Sequence, residues 1–142
     1  MFSHITVGSH DLPRSLRFYA PLMHALGFQR RQVLPDGGSP ALCWAAAAQS
    51  RPRFYVYEPY DQLPASAGNG CMVAFQAADR HAVDRAYALG LAAGGRCEGA
   101  PGWRPQYGPD YYGAYLRDPD GNKLHLVTFA SAGVRPPGDC NA

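Results

Sequence analysis

The 142-residue sequence lacks a long apolar run, a CxxC pair and an excess of charge of one sign. A helix that spans a bilayer needs about 20 mostly apolar residues, so we expect no membrane segment. Thirteen Lys and Arg residues are balanced by eleven Asp and Glu residues, for a formal net charge of +2. This balance argues against a nucleic-acid surface, which would need a basic stripe. The length fits one compact domain with a hydrophobic core.

Cysteine is scarce and scattered. The spacings between Cys43, Cys71, Cys97 and Cys140 do not match those of a structural zinc site. The opening residues show neither the basic start nor the apolar run of a signal peptide. We therefore expect a cytoplasmic protein with reduced thiols. Cys71 falls in a predicted strand, and we interpret it as a buried packing residue rather than a nucleophile.

The strongest positive feature is that the sequence nearly repeats itself. His4–Asp11 aligns with Met72–Asp79, and the alignment continues without a gap until Gly27 meets Gly95. Each copy contains a strand, an Asp that begins a helix, an amphipathic helix and a Gly that ends it. Such a duplication predicts a pseudo-symmetric domain, and a cleft between or within related sheets is a natural ligand site.

Hydrophobic periodicity predicts the same order of elements in both copies: strand, helix and three strands. The first copy is predicted to contain strands at 2–7, 29–34, 41–46 and 53–58 and a helix at 12–26. Pro21 lies inside this helix and is expected to kink or divide it. The second copy is predicted to contain strands at 71–77, 95–98, 112–117 and 123–129, a helix at 80–93 and a Gly/Pro-rich loop at 99–110.

This order predicts an α+β fold, because strands follow strands directly. We expect one domain over residues 1–130, made of two βαβββ modules at 1–62 and 70–130. One helix covers one face of each sheet, and the free faces curl around a cavity. Residues 131–142 are polar and contain Gly and Pro, and are expected to form a flexible tail.

Three segments resemble a known family. They are His4–Val7 with Asp11-Leu12 and Phe18-Tyr19, then Ala25–Phe28, and finally the turn and strand Asp118–Leu124. On these segments the chain resembles the vicinal oxygen chelate superfamily, which includes glyoxalase I, extradiol dioxygenases, fosfomycin-resistance transferases and bleomycin-binding proteins. The resemblance reaches to about Phe129 and implies the fold of paired βαβββ modules. It does not specify the function, because one fold hosts unrelated chemistries.

The resemblance also implies metal ligands on strands that face the cavity. His4 matches the ligand of the first opening strand, and His125 falls where relatives usually carry a ligand Glu. Met72 stands where metal-dependent relatives usually have His. A thioether is a poor ligand for hard or borderline ions, so we interpret Met72 as pocket lining. The implied cofactor is a divalent metal, namely Zn, Ni, Mn or Fe.

The fourth ligand position stays open between two neighbours. The ungapped repeat aligns Tyr57 with His125, whereas Glu58 requires a one-residue shift that also changes the face of the strand. If Glu58 faces inward, it joins His4 and His125 in a two-His, one-carboxylate set and is the candidate catalytic carboxylate. If Tyr57 faces inward, only two nitrogen ligands remain.

Aromatic residues with polar tips are dense over the later strands and the Gly/Pro-rich loop. Such side chains suit a pocket for a flat or amphipathic organic ligand. An arginine in the same loop is a candidate partner for an anionic group of the substrate. The predicted pocket residues are Met72, Tyr57, Trp103, Arg104, Tyr107 and Tyr112.

Three functions fit these observations. The first is a glyoxalase-like metalloenzyme of the lyase or isomerase type with an altered metal site, in which the metal acts as a Lewis acid. The second is a metal-free small-molecule or drug-binding protein of the resistance type, which the apolar Met72 and the aromatic residues favour. The third is an extradiol-type ring-cleaving dioxygenase. The residues slightly favour the first, and the family's usual behaviour implies a homodimer in each case.

Overall fold

Two copies of one strand–helix–three-strand unit follow each other in the computed structural model, which describes residues 1–129. The first module comprises β1 (His4–Gly8), α1 (Leu12–Ala25), β2 (Phe28–Arg31), β3 (Ala41–Ala46) and β4 (Arg53–Tyr57). The second comprises β5 (Val73–Gln76), α2 (Arg80–Ala92), β6 (Arg96–Trp103), a short 3-10 turn (Pro105–Tyr107), β7 (Tyr111–Arg117) and β8 (Lys123–Phe129). The predicted α+β fold of two βαβββ modules is confirmed. The predicted tail lies outside the described residues.

Each module forms a four-stranded mixed sheet with the same strand order. The first sheet runs β1-β4-β3-β2 and the second runs β5-β8-β7-β6. In each sheet the opening strand pairs in parallel with the closing strand, and the other neighbours are antiparallel. The duplication read from the sequence is therefore also present in the topology, and neither sheet closes into a barrel within the described residues.

Both helices begin at the aspartates that the repeat aligns. The carboxylate of Asp11 accepts a hydrogen bond from the backbone N–H of Arg14 at 3.0 Å, and that of Asp79 accepts one from Ala82 at 2.8 Å. These bonds satisfy amides that have no partner inside the helix. A kink or a division was expected at Pro21, and the division is wrong, because α1 runs unbroken from Leu12 to Ala25. Burial of the apolar side of α1 in the core offsets the cost of proline, which is about 3 kcal/mol.

The core lies between the two helices and the sheet faces that they cover. Gly90 lets α2 lie close to both β7 and α1, because a Cβ there would lie 2.6 Å from Leu116 of β7 and 3.0 Å from Leu22 of α1. Phe75 of β5 contacts Phe54 of β4 with ring centroids 5.0 Å apart. The two modules therefore share one continuous core, which leaves the opposite faces of both sheets available for a site.

The sixth strand is longer than the sequence predicts. We expected a short strand at 95–98 followed by a loop, but β6 continues through Pro101 to Trp103. Its pairing with β7 shifts register between Cys97 and Gly99 and again between Gly99 and Gly102. As an edge strand, β6 tolerates proline and bulges that would disrupt a central strand.

The turn between β7 and β8 holds the two modules together through Asp120. Its side chain is 1% exposed and accepts hydrogen bonds from Ser9 Oγ at 2.7 Å and Arg14 Nη2 at 2.8 Å. It also accepts from the backbone N–H of His10 at 3.0 Å and from Ser15 Oγ at 3.3 Å. One carboxylate of the second module thus satisfies four donors of the first.

Asp118 forms the other half of the same junction and is also buried. Its carboxylate accepts hydrogen bonds from Tyr19 Oη at 2.6 Å and from Asn122 Nδ2 at 2.8 Å. Asn122 Nδ2 also donates to the carbonyl of Gly8 at 2.9 Å. Burial, followed by the charge of Asp118, raises the pKa of Tyr19 well above its ordinary value. We refer to the contacts of Asp118 and Asp120 with the first module as the module junction.

Two further expectations concern the membrane and the thiols. None of the helices within residues 1–129 has both the length and the apolar character needed to cross a membrane. Cys43, Cys71 and Cys97 are free thiols. The expectation that Cys71 is buried in a strand is wrong, since β5 begins only at Val73 and Cys71 is exposed. Cys140 lies outside the described residues.

Candidate ligand-binding site

His125 lies in a stack of three rings on the uncovered face of the second sheet. Tyr115 lies directly opposite it on β7, with centroids 4.0 Å apart and planes 10° from parallel. Tyr111 stacks less closely, at 5.7 Å and 15°. His125 itself is only 1% exposed, whereas both tyrosines are partly exposed. A ligand on this face would therefore meet the tyrosines before the imidazole.

Both ring nitrogens of His125 already have partners. Nδ1 lies 2.9 Å from the carbonyl oxygen of Ala114, which can only accept, so Nδ1 carries the proton. Nε2 is then the acceptor, and the Tyr111 hydroxyl donates to it at 2.7 Å. Burial lowers the pKa of His125, which keeps the imidazole neutral and this pair of hydrogen bonds intact.

Gly113 makes the room that His125 occupies. A Cβ at this position would lie 2.5 Å from His125 Cε1 and 2.9 Å from the carbonyl oxygen of Leu126. No side chain fits without displacing the imidazole. The glycine therefore sets the depth at which His125 sits between Tyr111 and Tyr115.

Two cations lie beside Tyr115. The guanidinium carbon of Arg104 is 5.7 Å from the ring centroid, and Lys123 Nζ is 5.4 Å from it. Arg104 is held in place by a 2.7 Å hydrogen bond from Nη2 to the carbonyl oxygen of Ala100. Cations this close to an aromatic face are attracted to it, and they give this surface a positive edge.

Tyr107 extends the aromatic surface away from the sheet. Its ring centroid lies 5.2 Å from that of Tyr111, and Phe129 contacts the same tyrosine at 5.3 Å. Both Tyr107 and Phe129 are exposed. We refer to Tyr107, Tyr111, Tyr115 and His125 as the tyrosine–histidine cluster. His125 stacks on Tyr111 and Tyr115 in this cluster, and the Tyr107 ring is tilted against Tyr111.

Two of the predicted pocket residues lie on the other face of the second sheet. Trp103 is directly opposite Tyr112, and their rings contact each other at 5.2 Å. The Tyr112 hydroxyl donates to Asp84 of α2 at 2.6 Å, and Arg80 of α2 lies over both rings. Burial and this hydrogen bond raise the pKa of Tyr112 to about 12. These two residues therefore contact the helix rather than the tyrosine–histidine cluster.

On the first sheet, His4 and Tyr57 belong to the uncovered face. The ring of Tyr55 contacts His4 at 5.7 Å and Tyr57 at 5.5 Å. His4 is exposed, and its Nδ1 is hydrogen-bonded to Ser3 Oγ at 3.1 Å. Tyr57, and not Glu58, thus shares a face with His4.

The predicted metal ligands are not gathered into one site within the chain. Residues 1–129 contain no group of three His, Cys, Asp or Glu side chains that could hold a metal ion. Glu58 follows the last residue of β4 and is exposed, and Nε2 of His125 is occupied by Tyr111. Met72 is exposed just before β5. The residues present therefore do not fit a metal centre built by a single chain.

Of the predicted pocket residues, Arg104 and Tyr107 do lie at the tyrosine–histidine cluster. Tyr111, Tyr115 and Lys123 are central to it but are absent from the predicted set. A signal for them exists: the tight turn that follows Arg117 sets the hairpin register and places Tyr115 opposite His125. Alternation along β7 then places Tyr111 on the same face.

Comparison with known proteins gives a consistent result. The sequence profile of the glyoxalase/bleomycin resistance protein/dioxygenase superfamily matches residues 1–126. A solved glyoxalase/bleomycin resistance protein from Albidiferax ferrireducens T118 is 36% identical, with 92% of this chain and 99% of that chain covered and a TM-score of 0.77. No protein of curated function matches the chain.

Two more distant structures agree in fold. A glyoxalase I mutant from Zea mays is 26% identical and has a TM-score of 0.65, with 88% of this chain and 45% of that chain covered. A glyoxalase-related enzyme from Fulvimarina pelagi is 18% identical and has a TM-score of 0.66, with 100% of this chain and 95% of that chain covered. The second likeness concerns the fold alone.

Proposed function

Because the chain belongs to the glyoxalase/bleomycin resistance protein/dioxygenase superfamily, we propose that it binds a small organic molecule, without a metal, on the tyrosine–histidine cluster. This proposal rests on the hydrogen bonds and ring contacts of His125. Both of its nitrogens are engaged by the protein, at 2.9 Å and 2.7 Å, and its ring is enclosed by two tyrosines. The tyrosine rings, and not the imidazole, are then the groups available to a ligand.

The chemistry around Tyr115 favours a flat ligand with an anionic group. Aromatic rings offer stacking area at a low cost in conformational entropy. Arg104 and Lys123 place positive charge within 6 Å of the Tyr115 ring centroid. Burial, followed by the neighbouring Tyr111, raises the pKa of Tyr115, so its hydroxyl stays protonated at neutral pH and can donate to an acceptor. A planar carboxylate matches all three properties.

In this proposal the residues bind and orient the ligand and carry out no chemical step. Tyr107, Tyr111 and Tyr115 supply the contact area, and Arg104 and Lys123 supply the charge. His125 is a positioning residue, because its Nε2 fixes the direction of the Tyr111 hydroxyl. Tyr111, Tyr115 and His125 are held on β7 and β8 rather than on a loop, which keeps this part of the binding surface rigid.

We also propose that two copies of the chain form a homodimer in the cytoplasm. The uncovered face of the second sheet carries the exposed Phe129, and Met72 is exposed just before β5, so a second copy would shield both side chains. Dimers are frequent in this superfamily. Closing one uncovered face against another would enclose the ligand and exclude water from it.

Calorimetric titration in the presence of EDTA tests the proposal. The probes are 2-naphthoate and its neutral analogue 2-naphthylmethanol. We expect saturable binding that favours the carboxylate, and a loss of about threefold to tenfold in affinity in Tyr115→Ala, the range of one aromatic contact. In Arg104→Gln we expect the preference for the carboxylate to decrease while the neutral analogue still binds, because Lys123 remains beside Tyr115.

Tyr112→Phe is the matched control, because Tyr112 lies on the same strand but contacts α2. This variant should bind both probes as the native chain does. Equal losses in Tyr112→Phe and Tyr115→Ala, or no saturable binding of either probe, would contradict the proposal.

A metal-dependent lyase or isomerase of the glyoxalase type is the second candidate. The tautomer of His125 favours it, because Nε2 is the acceptor nitrogen and an acceptor nitrogen is what a metal requires. Such a site would need Tyr111 to release Nε2 and would need ligands beyond those one chain brings together. Near one equivalent of retained metal, lost in both His4→Ala and His125→Ala, would support this candidate.

A further inference from the structure

The first module contains a cavity of about 690 Å³ at the end of the sheet where β1 and β4 finish. Three segments line it: the residues after β1, the connection before β3 and the residues after β4. His4 lies at the opposite end of β1, and the tyrosine–histidine cluster belongs to the second module. The lining residues are Ser9, His10, Gly37, Gly38, Ser39, Pro40, Glu58, Pro59, Tyr60, Gln62 and Leu63.

The polar side chains at the back of this cavity are already satisfied. Ser9 Oγ is hydrogen-bonded to Ser15 Oγ at 2.6 Å and to the Asp120 carboxylate at 2.7 Å. Both ring nitrogens of His10 lie within hydrogen-bond distance of the backbone of Ala65, at 3.2 Å and 3.4 Å. These groups shape the cavity but are not free to bind a charged ligand.

Glu58 is different, because its carboxylate has no hydrogen bond or ion pair within residues 1–129. Its backbone N–H donates a hydrogen bond to the carbonyl oxygen of Pro40 at 3.1 Å, which fixes the residue at the cavity wall. Two further acids adjoin the lining, Asp36 before Gly37 and Asp61 before Gln62. No Lys or Arg lines the cavity. The cavity is thus acidic in a chain whose net charge is +2.

The lining that contains Glu58 also carries apolar surface. Tyr60 is 90% exposed and Leu63 is 63% exposed, and both line the cavity. An aromatic face attracts a cation, and a nearby carboxylate adds to that attraction. We propose that this cavity binds an organic ammonium cation, with Glu58 as counter-ion, the Tyr60 ring against the cationic head and Leu63 against the apolar body.

This assignment differs from the proposed function in charge and in place. The tyrosine–histidine cluster has a positive edge made by Arg104 and Lys123, whereas the cavity has an unpaired carboxylate. The two sites therefore prefer ligands of opposite charge. Failure of one does not imply failure of the other, and the variants that test them are on different modules.

Titration with benzyltrimethylammonium, followed by calorimetry and by amide chemical shifts, tests the inference. The neutral reference ligand is benzyl alcohol. We expect saturable binding of the cation, with shifts at Gly37, Gly38 and Tyr60. Glu58→Gln should weaken binding by about tenfold, and Tyr60→Ala by about twofold to fivefold, as for an exposed cation–π contact.

Glu98→Gln is the matched control, since Glu98 is a carboxylate of the second module paired with Arg117 at 2.7 Å. It removes the same charge and should leave the affinity unchanged. An equal loss of affinity in Glu98→Gln and Glu58→Gln would show that the effect comes from net charge alone, and it would overturn the inference. Shifts confined to the second module, or no saturable binding, would also overturn it. Binding of 2-naphthoate in Glu58→Gln reports separately on the proposed function.

Discussion

Replacing Asp120 with Ala removes the carboxylate that joins the two modules. In the native chain this group accepts four hydrogen bonds, from Ser9, His10, Arg14 and Ser15, at 2.7 to 3.3 Å. All four donors belong to the first module, whereas Asp120 belongs to the second. The substitution therefore leaves the first module with several unsatisfied donors at a buried surface.

The expected cost follows from burial. Removing one partner of a fully buried ion pair costs about 3–5 kcal/mol, and each lost neutral hydrogen bond costs about 0.5–1.5 kcal/mol. The Arg14 side chain is 39% exposed, so water replaces part of what it loses. We therefore expect about 3 kcal/mol for Asp120→Ala, near the lower end of the ion-pair range. For a domain of this size that corresponds to a fall in Tm of about 10 °C.

Urea unfolding and thermal melting of the native chain and of Asp120→Ala measure this cost. Asp110→Ala is the control, because the Asp110 carboxylate has no hydrogen bond or ion pair within residues 1–129; it should change Tm by no more than about 2 °C. If Asp120→Ala melts within the same range as Asp110→Ala, the module junction does not stabilise the fold as argued.

Three further outcomes follow from the structure. Tyr19→Phe should lower the free energy of unfolding by about 1–2 kcal/mol, because the Asp118 carboxylate loses a buried donor; urea unfolding measures this, and an unchanged midpoint would contradict it. Gly113→Ala should cost about 1–3 kcal/mol through overpacking against His125, and it should also weaken 2-naphthoate binding. Because the pKa of His125 is lowered in the folded chain, the unfolded chain binds more protons below the ordinary histidine pKa of about 6.5. Stability should therefore fall as pH decreases through that value, and His125→Gln should lose this component whereas His81→Gln should keep it.

The sequence was sufficient for the modules and their helices. Asp11 and Asp79 are strong capping residues placed before apolar residues at helical spacing, and both signals are local. β3 and β8 have the predicted bounds for a similar reason, since each has a turn or loop on both sides. Elements with strong local signals form as predicted because their tertiary contacts favour the same conformation.

Elements at the edges of the sheets were harder to predict. β6 contains two glycines and a proline, which by local preference indicate a loop. Its strand conformation is imposed by β7, whose residues pair with it across the bulges. A neighbour that supplies the hydrogen bonds can override the local preference of an edge segment, and sequence periodicity does not report this.

Predicting the residues of the candidate site required knowing which face of its strand each side chain occupies. Neighbouring residues of a strand point to opposite faces, so an error of one residue selects the wrong face. Tyr112 was predicted to line the pocket, but its neighbour Tyr111 is the residue that contacts His125. The ambiguity between Tyr57 and Glu58 has the same origin, and the contact between Tyr55 and Tyr57 places Tyr57 on the face of His4. In the second module the hairpin register determines which residues of β7 share a face with His125. The turn after Arg117 sets that register and can be recognised in the sequence.

The module junction had no sequence signal. Asp120 and Ser9 are separated by more than a hundred positions, and the turn that contains Asp120 is explained locally as a hairpin turn. The packing of α1 against α2 and the shared core bring the two together. Two carboxylates can be buried in one turn because donors of the first module surround them.

The affinity for 2-naphthoate, measured before and after exhaustive treatment with EDTA, tests most directly the claim that the tyrosine–histidine cluster binds its ligand without a metal. We predict the same affinity in both preparations and an affinity about threefold to tenfold lower in Tyr115→Ala. Loss of binding on chelation, with recovery on addition of Zn, Ni, Mn or Fe(II), would contradict the claim and would favour the metal-dependent candidate.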